Sequence, residues 1–155
     1  MDNSKLILKE NQRFGKGVFA KEEISQGELI AVWDGGIYEA EMCSDLPNNE
    51  PLTVRDHAIQ FEEHKWKDSK GLARYINHSC EPNCGIKNLF DIVAMRNVAK
   101  DEEITWDYDM TENSNWQMEC KCGTQSCRKI IRGFQFLPNE IKNKYQDYIS
   151  DWLKH

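Results

Sequence analysis

The densest run of polar and reactive side chains in the sequence extends from Arg74 to Cys84, Arg-Tyr-Ile-Asn-His-Ser-Cys-Glu-Pro-Asn-Cys. Asn, His, Ser and Cys form helices and strands poorly, so such a run indicates a loop or a site. In one interpretation it is a loop whose polar groups satisfy the backbone. In a second, a Cys80 or Cys84 thiolate is a nucleophile with His78 as its base. In a third, one of these cysteines is a metal ligand, which requires partners elsewhere in the chain.

Three more thiols lie within eight positions near the C-terminal end, at Cys120, Cys122 and Cys127. Glycine and small polar residues between them allow tight bends, and clustered soft ligands of this kind favour zinc. A structural zinc site takes four ligands, so one more must come from a distant segment. The candidates are Cys43, Cys80, Cys84 and the histidines. Four thiolates leave no position for water, so we expect one structural zinc ion without hydrolytic chemistry.

The elements that must position these residues are predicted to be short strands. Apolar or alternating runs followed by turn residues indicate strands; they lie at Leu6–Leu8, Gly17–Ala20, Leu29–Trp33, His57–Phe61, Phe90–Met95 and Ile104–Tyr108. Residues 62–68 show no period and are predicted to be a loop, and residues 38–51 an irregular excursion. Frequent short strands without long helical segments between them predict a mainly β domain of small sheets.

One helix is predicted, at the C-terminal end. Apolar and aromatic residues recur at helical spacing from Ile141 to Trp152, and Pro138-Asn139 is a suitable helix start. We expect this aromatic stripe to contact the core.

Composition limits the possible functions. A chain of 155 residues with 39% hydrophobic and 30% charged residues fits one globular domain. A net charge of −6 argues against a direct nucleic-acid partner and favours a cationic one. No basic segment followed by a long apolar run occurs, so neither a signal peptide nor a membrane partner is expected. Six cysteines without a secretory signal favour an intracellular location, in the nucleus or the cytoplasm.

Four motifs together resemble SET-domain protein-lysine methyltransferases with a post-SET zinc segment. They are Gly15-Lys16-Gly17, the run from Arg74 to Cys84, Asp101 to Tyr108, and the Cys-x-Cys-x4-Cys pattern at 120, 122 and 127. The resemblance covers roughly residues 5 to 133. It implies a SET domain at 5–112, a post-SET zinc segment at 113–133 and a C-terminal helical extension at 134–155. The implied fold consists of small antiparallel sheets around a knot-like crossing, where the Asn-His segment meets the segment leading to Tyr108.

The resemblance also implies roles for individual residues. It implies S-adenosylmethionine as cofactor, with Tyr108 at the methyl-transfer channel. The implied cofactor contacts are Phe14, Gly15, Lys16, Gly17, Arg74, Asn77 and His78. Trp106 and His57 would line the substrate channel, and Trp106 stands where the family usually has Phe or Tyr, a position that influences how many methyl groups are added. The implied zinc ligands are Cys80, Cys120, Cys122 and Cys127.

Two functions therefore follow from the sequence. The first is methyl transfer from S-adenosylmethionine to lysine side chains of a basic protein such as a histone. A methyl sulfonium is already activated, so the site must mainly align a neutral amine about 3 Å from the methyl carbon. The alternative is a non-catalytic zinc-containing module that binds a partner through its C-terminal helix.

Overall fold

Short strands make up most of the regular structure in residues 2–46 and 57–154, the parts of the chain that the computed structural model describes. The strands are β1 (Leu6–Asn11), β2 (Gly15–Ala20), β3 (Leu29–Val32), β4 (Ile37–Glu39), β5 (Ile59–Glu62), β6 (Lys65–Lys67), β7 (Asn77–His78), β8 (Cys84–Lys87), β9 (Asp91–Ala94), β10 (Thr105–Trp106), β11 (Met118–Glu119) and β12 (Ile130–Ile131). The α-helix α1 spans Asn139–Tyr145. Single turns of 3-10 helix lie at Cys43–Asp45, Leu72–Tyr75, Tyr108–Met110, Phe134–Phe136 and Asp151–Leu153.

The strands form five small sheets in the described residues. The antiparallel sheets are the hairpins β1–β2 and β11–β12 and the three-stranded β3–β9–β8 and β4–β6–β5. Their inward-facing residues meet in one main apolar core, whose fully buried isoleucines are Ile24, Ile30, Ile76, Ile86, Ile92 and Ile104. The predicted mainly β architecture of small antiparallel sheets with a C-terminal helix is confirmed. In the described ranges, no helix combines the length and apolar character needed to cross a membrane.

The fifth sheet brings two distant segments together. β7 pairs in parallel with β10, with Asn77 opposite Thr105 and His78 opposite Trp106. Asn83 holds the two segments in register, because its side chain donates to the Glu103 carbonyl at 2.7 Å and accepts from Thr105 N–H at 2.9 Å. The predicted meeting of the Asn-His segment with the segment leading to Tyr108 is therefore present in the fold.

The sequence predicted a loop at residues 62–68, and this prediction is wrong for residues 65–67. They form β6, the central strand of the β4–β6–β5 sheet. The strand forms around Trp66, which is fully buried and donates its Nε1–H to the Ala40 carbonyl at 3.0 Å. A strand with one buried side chain among charged residues shows no alternation of apolar and polar residues. The sequence therefore gave no indication of β6. Of the predicted irregular stretch at 38–51, residues 47–51 lie outside the described residues.

The predicted C-terminal helix is shorter than its aromatic spacing suggested. It ends at Tyr145, because Gln146 has a φ of 48°, outside the helical region. Backbone bonds to other segments then replace helical ones, as Ser150 N–H donates to the Met110 carbonyl at 2.9 Å. Trp152 Nε1–H donates to the Thr111 carbonyl, also at 2.9 Å. The stripe does contact the core, as predicted, with Tyr145 and Ile149 buried in it.

Candidate functional site

Tyr108 lies where two cavities meet. It borders one cavity of about 390 Å³ with His78 and a second of about 270 Å³ with Trp106; we call these the His78 cavity and the Trp106 cavity. Its N–H donates to His78 Nδ1 at 3.1 Å, and its hydroxyl donates to the Ile76 carbonyl at 3.2 Å. Burial raises the pKa of the Tyr108 hydroxyl, so this group is neutral. A tyrosine fixed at both ends is thus shared by two spaces.

The His78 cavity contains three of the predicted cofactor contacts. It is lined by Arg13, Phe14, Asn77, His78, Tyr108, Met118, Glu119, Cys120, Lys121 and Cys122. The predicted residues Gly15, Lys16 and Gly17 directly follow Phe14 as the first residues of β2 and are not among the residues that line the cavity. Gly17 leaves room for the contact between Glu103 and Asn77. A Cβ at this position would lie only 2.5 Å from Glu103 Oε1 and 3.1 Å from Asn77 Nδ2.

Asn77 is held with one oxygen available. Its Nδ2 donates to the Lys16 carbonyl at 2.8 Å and to Glu103 Oε1 at 3.0 Å. Among the described residues, no hydrogen bond uses Asn77 Oδ1. The side chain can therefore accept a hydrogen bond from a molecule in the His78 cavity.

His78 is a neutral imidazole of defined tautomer. Burial lowers its pKa to about 4, although the nearby Asp107 carboxylate acts in the opposite direction. Because Nδ1 accepts from Tyr108 N–H, the hydrogen lies on Nε2, which points at Cys80 Sγ at 3.4 Å. The separation of 3.6 Å between His78 Nδ1 and Asp107 Oδ1 is therefore not an ion pair. His78 connects Tyr108 to the cysteines.

The Trp106 cavity has aromatic walls and contains both residues predicted for the substrate channel. It is lined by Trp33, Cys43, His57, Ala58, Ile59, Ala73, Arg74, Ile76, Trp106, Tyr108, Thr111, Glu112, Trp116 and Met118. The rings of Trp106 and Tyr108 lie 5.0 Å apart, and those of Trp33 and Trp106 lie 6.2 Å apart. Within the described ranges, the enclosed indole Nε1 atoms of Trp33 and Trp106 have no hydrogen-bond partner. Two donors of residues that border the cavity are thus buried without compensation.

Arg74 is separated from the other predicted cofactor contacts. It borders the Trp106 cavity, whereas Asn77 and His78 border the His78 cavity. Its guanidinium forms an ion pair with Asp68 at 2.6 Å, and its backbone carbonyl accepts from His57 Nδ1 at 2.8 Å. These contacts direct Arg74 away from the pocket for which the sequence suggested it.

Four cysteines converge beside the His78 cavity. The Sγ atoms of Cys80, Cys120, Cys122 and Cys127 all lie within 4.8 Å of one another, and those of Cys80 and Cys120 lie 3.7 Å apart. Tetrahedral zinc with Zn–S bonds of about 2.3 Å separates its sulfur ligands by about 3.8 Å. The donor set therefore fits zinc. Of the other candidate ligands, Cys84 lies in the main core and Cys43 packs with Leu46 and Trp66.

Two features of the site were not predicted from the sequence. Arg13 borders the His78 cavity and donates to the Cys122 carbonyl at 2.7 Å, which joins the β1–β2 hairpin to the cysteine segment. The second feature is Asp107, whose carboxylate is fully buried. Arg13 belongs to no pattern of types or spacing that would have identified it, whereas Asp107 lies within the motif from Asp101 to Tyr108, where only Trp106 and Tyr108 were given roles.

Asp107 accepts hydrogen bonds from three segments. Oδ1 accepts from Asp109 N–H at 3.0 Å and from the Arg128 guanidinium at 2.8 Å, and Oδ2 accepts from the Tyr145 hydroxyl. Arg128 also pairs with Asp109 at 3.1 Å. Burial and the neighbouring Asp107 nevertheless raise the pKa of Asp109 to about 6. This Asp107 network links the Tyr108 segment, the cysteine segment and α1.

Comparison with known proteins relates this site to a family. Residues 15–109 match the family model described as the SET domain. The chain is 28% identical over 130 residues to Histone-lysine N-methyltransferase 2B of Homo sapiens, an alignment of 76% of this chain with 5% of that protein. It is 31% identical over 139 residues to Putative histone-lysine N-methyltransferase ASHH4 of Arabidopsis thaliana, covering 82% of this chain and 39% of that protein.

Solved structures share the fold. KRYPTONITE in complex with mCHH DNA, H3(1-15) peptide and SAH matches with a TM-score of 0.57 and 25% identity, over 81% of this chain and 29% of that chain. KRYPTONITE in complex with mCHG DNA and SAH matches with a TM-score of 0.58 and 24% identity, over 81% of this chain and 28% of that chain. This second match shows a similarity of fold alone. The chain spans less than half the length of each of these relatives.

The Asp107 network predicts that Tyr145→Phe destabilises the protein. The substitution removes a donor from a buried carboxylate, which should lower the free energy of unfolding by about 1–3 kcal/mol. Urea unfolding measures the change. Tyr148→Phe is the matched control, because in the described residues the Tyr148 hydroxyl makes no hydrogen bond, and it should change the free energy by less than about 0.5 kcal/mol. Equal effects of the two substitutions would contradict the role given to Tyr145.

Proposed function

The chain belongs to the SET-domain family, and from that membership we propose that it is an S-adenosylmethionine-dependent protein-lysine methyltransferase. The observation that carries the proposal is the position of Tyr108, which borders both the His78 cavity and the Trp106 cavity. Methyl transfer requires the methyl group of the cofactor and the amine of the target lysine to meet in line. One cavity for each reactant, with Tyr108 bordering both, suits this requirement.

The His78 cavity is the proposed cofactor site. Asn77 Oδ1 and backbone groups beside Phe14, Lys16 and His78 would hold the polar ends of the cofactor, and Gly15 and Gly17 allow its close approach. The KRYPTONITE structures that share this fold contain SAH, the demethylated cofactor, which supports the assignment. Arg74 is left out of this site, because it borders the other cavity and is bound to Asp68.

The Trp106 cavity is the proposed channel for the target lysine, with Trp106 and His57 in its wall. A free lysine ammonium has a pKa of about 10.4, and an apolar aromatic surrounding disfavours its charged form. When bound, S-adenosylmethionine supplies an activated methyl sulfonium. Tyr108, neutral and anchored to Ile76, orients the amine and presents its oxygen to the partial positive charge on the methyl group. Trp106 narrows the space and so affects how many methyl groups the nitrogen can carry.

We propose that the four cysteines hold one structural zinc ion. Burial raises the pKa of the Cys80 and Cys120 thiols, whereas hydrogen bonds from Thr124 and from backbone groups lower the pKa of Cys122 against the effect of burial. The ion itself would supply the positive charge that stabilises all four thiolates. His78 Nε2–H and Arg128 N–H, each 3.4 Å from Cys80 Sγ, are suited to support a ligating sulfur. Four thiolates leave no open position, so the ion would stabilise the segment that lines the His78 cavity.

The proposed division is a SET domain at 5–112, a zinc segment at 113–133 and a C-terminal extension at 134–155. The extension is part of the same core, because Leu137, Tyr145, Ile149 and Leu153 are buried in it. Its proposed role is to support the site through the Asp107 network.

The proposed substrate is a lysine-rich basic protein, with a histone tail as the first candidate. The net charge of −6 suits a cationic partner. Curated relatives are named histone-lysine methyltransferases, and one KRYPTONITE complex contains an H3(1-15) peptide. A histone substrate would place the protein in the nucleus. The expectation of no direct nucleic-acid partner stays a prediction, since both KRYPTONITE complexes contain DNA.

Labelled S-adenosylmethionine and core histones test the activity, and Tyr108→Phe tests the role of the shared tyrosine. We expect transfer by the wild-type chain and about 100-fold less by the variant, because the hydroxyl contributes only where charge develops. Tyr148→Phe, which borders neither cavity, should retain wild-type transfer. Cofactor binding without transfer to any histone would instead favour the non-catalytic binding module, and near-normal turnover by Tyr108→Phe would contradict the role of its hydroxyl.

Elemental analysis tests the zinc proposal. The purified chain should contain about one zinc ion, Cys120→Ser should lose it, and Cys84→Ala should keep it, because Cys84 lies in the core away from the cluster. Since Cys120 and Cys122 border the His78 cavity, calorimetry should also show weaker S-adenosylmethionine binding by Cys120→Ser. Equal zinc loss in both variants, or unchanged cofactor affinity in Cys120→Ser, would contradict the proposed coupling.

A further inference from the structure

One carboxylate in the Trp106 cavity has no role in the function described so far. Glu112 borders this cavity and is only 6% exposed. Its backbone is fixed on both sides, because its N–H donates to the Tyr108 carbonyl at 3.1 Å and its carbonyl accepts from Phe134 N–H at 2.7 Å. The side chain therefore starts from a rigid position next to the segment that carries Tyr108.

The two oxygens of the Glu112 carboxylate have different environments. Oε1 accepts from Ser114 N–H at 3.2 Å and from the Ser114 hydroxyl. Oε2 makes no hydrogen bond within the described residues, yet it is not among their enclosed unpartnered atoms. One oxygen thus orients the group, and the other is not enclosed, in a residue that borders the cavity.

Among the described residues, no cation pairs with the Glu112 carboxylate. Burial, and to a smaller degree the carboxylate of Asp109, raise the pKa of Glu112 to about 7. The titratable residues that share the cavity with it are Arg74, His57, Cys43 and Tyr108. Of these, Arg74 is bound to Asp68, and in the described ranges no ion pair involves Glu112. A buried carboxylate in an aromatic cavity favours a cationic ligand.

We propose that the Glu112 carboxylate receives the ammonium group of the target lysine and takes one proton from it. This inference rests on the proposed function. In the step, an N–H bond of the ammonium breaks and an O–H bond forms on Glu112, leaving a neutral amine and a neutral carboxylic acid. The nitrogen lone pair then attacks the methyl carbon, the carbon–sulfur bond breaks, and its electrons remain on sulfur. The methylated nitrogen carries the positive charge, and Glu112 returns its proton to water after product release.

The same environment acts on both partners of this proton transfer. Burial raises the pKa of the carboxyl group and lowers that of the ammonium from about 10.4, so the gap between them narrows. Glu112 is thereby both the counter-ion that attracts lysine and the base that prepares it.

A pH profile of Glu112→Gln tests the inference. Transfer from labelled S-adenosylmethionine to core histones is measured as kcat/KM from about pH 7 to about pH 10. At about pH 8 the variant should be slower by about 100-fold. The deficit should shrink towards pH 10, because solvent then deprotonates lysine without help. Glu63→Gln is the control, since its side chain is 84% exposed and borders neither cavity, and it should match the wild type throughout.

Stability provides a second readout that a structural role would not produce. The folded pKa of Glu112, about 7, lies above the unfolded value of about 4.3. The folded state therefore binds more protons between these values, and stability falls as pH rises through about 7. Glu112→Gln removes this dependence, so its urea midpoint should exceed that of the wild type at about pH 8, and the advantage should disappear near pH 4. A folded, more stable variant with lower activity is the expected outcome.

The other outcomes separate the two hypotheses. An active wild type with a Glu112→Gln variant of equal kcat/KM at every pH overturns the role of Glu112 and leaves the proposed function intact. A deficit that stays constant across pH, together with a lower urea midpoint, also overturns it, because that combination describes a purely structural residue. A wild-type chain that binds S-adenosylmethionine but labels no histone overturns the proposed function, and this inference with it.

Discussion

The Asp107 carboxylate is enclosed in the protein, and three donors from separate parts of the chain satisfy it. They are the Asp109 N–H, the Arg128 guanidinium and the Tyr145 hydroxyl. Leaving such a buried charge without a partner would cost several kcal/mol, so the Tyr108 segment, the cysteine segment and α1 must assemble together. Tyr108, which directly follows this anchor, is thereby held at the junction of the two cavities.

A second set of polar groups is buried without such compensation. The indole N–H groups of Trp33 and Trp106 are enclosed and have no partner among the described residues, and both residues border the Trp106 cavity. Unsatisfied buried groups each cost about 1–3 kcal/mol. Unpartnered buried atoms are not confined to this cavity, because Arg128 Nη1 of the Asp107 network and Ser150 Oγ also lack partners among the described residues. A missing partner therefore does not by itself distinguish the site from the scaffold.

Much of the fold could be predicted from local patterns. Short apolar or alternating runs identified strands, as in Phe90–Met95, which contains β9. The pattern failed at Lys65–Lys67, where Trp66 is the only fully buried residue and tertiary contacts outweigh propensity. It also failed after Tyr145, where helical spacing continues but backbone bonds to Met110 and Asn88 do not permit a helix. Both failures occur where a segment is stabilised by distant partners.

For the site, the sequence by itself determined which chemistry is available. The spacing of Cys120, Cys122 and Cys127 is a local fact, and it indicated zinc. A cofactor role for Asn77 and His78 was implied only by the family resemblance. Only the tertiary structure decided which distant residues meet: Cys80 joins the cluster while Cys84 enters the core, and Arg74 borders the Trp106 cavity. The reason is that the chemistry of a side chain is fixed by its residue type and can be identified from the sequence. The partners of that side chain depend on where the folded backbone places it.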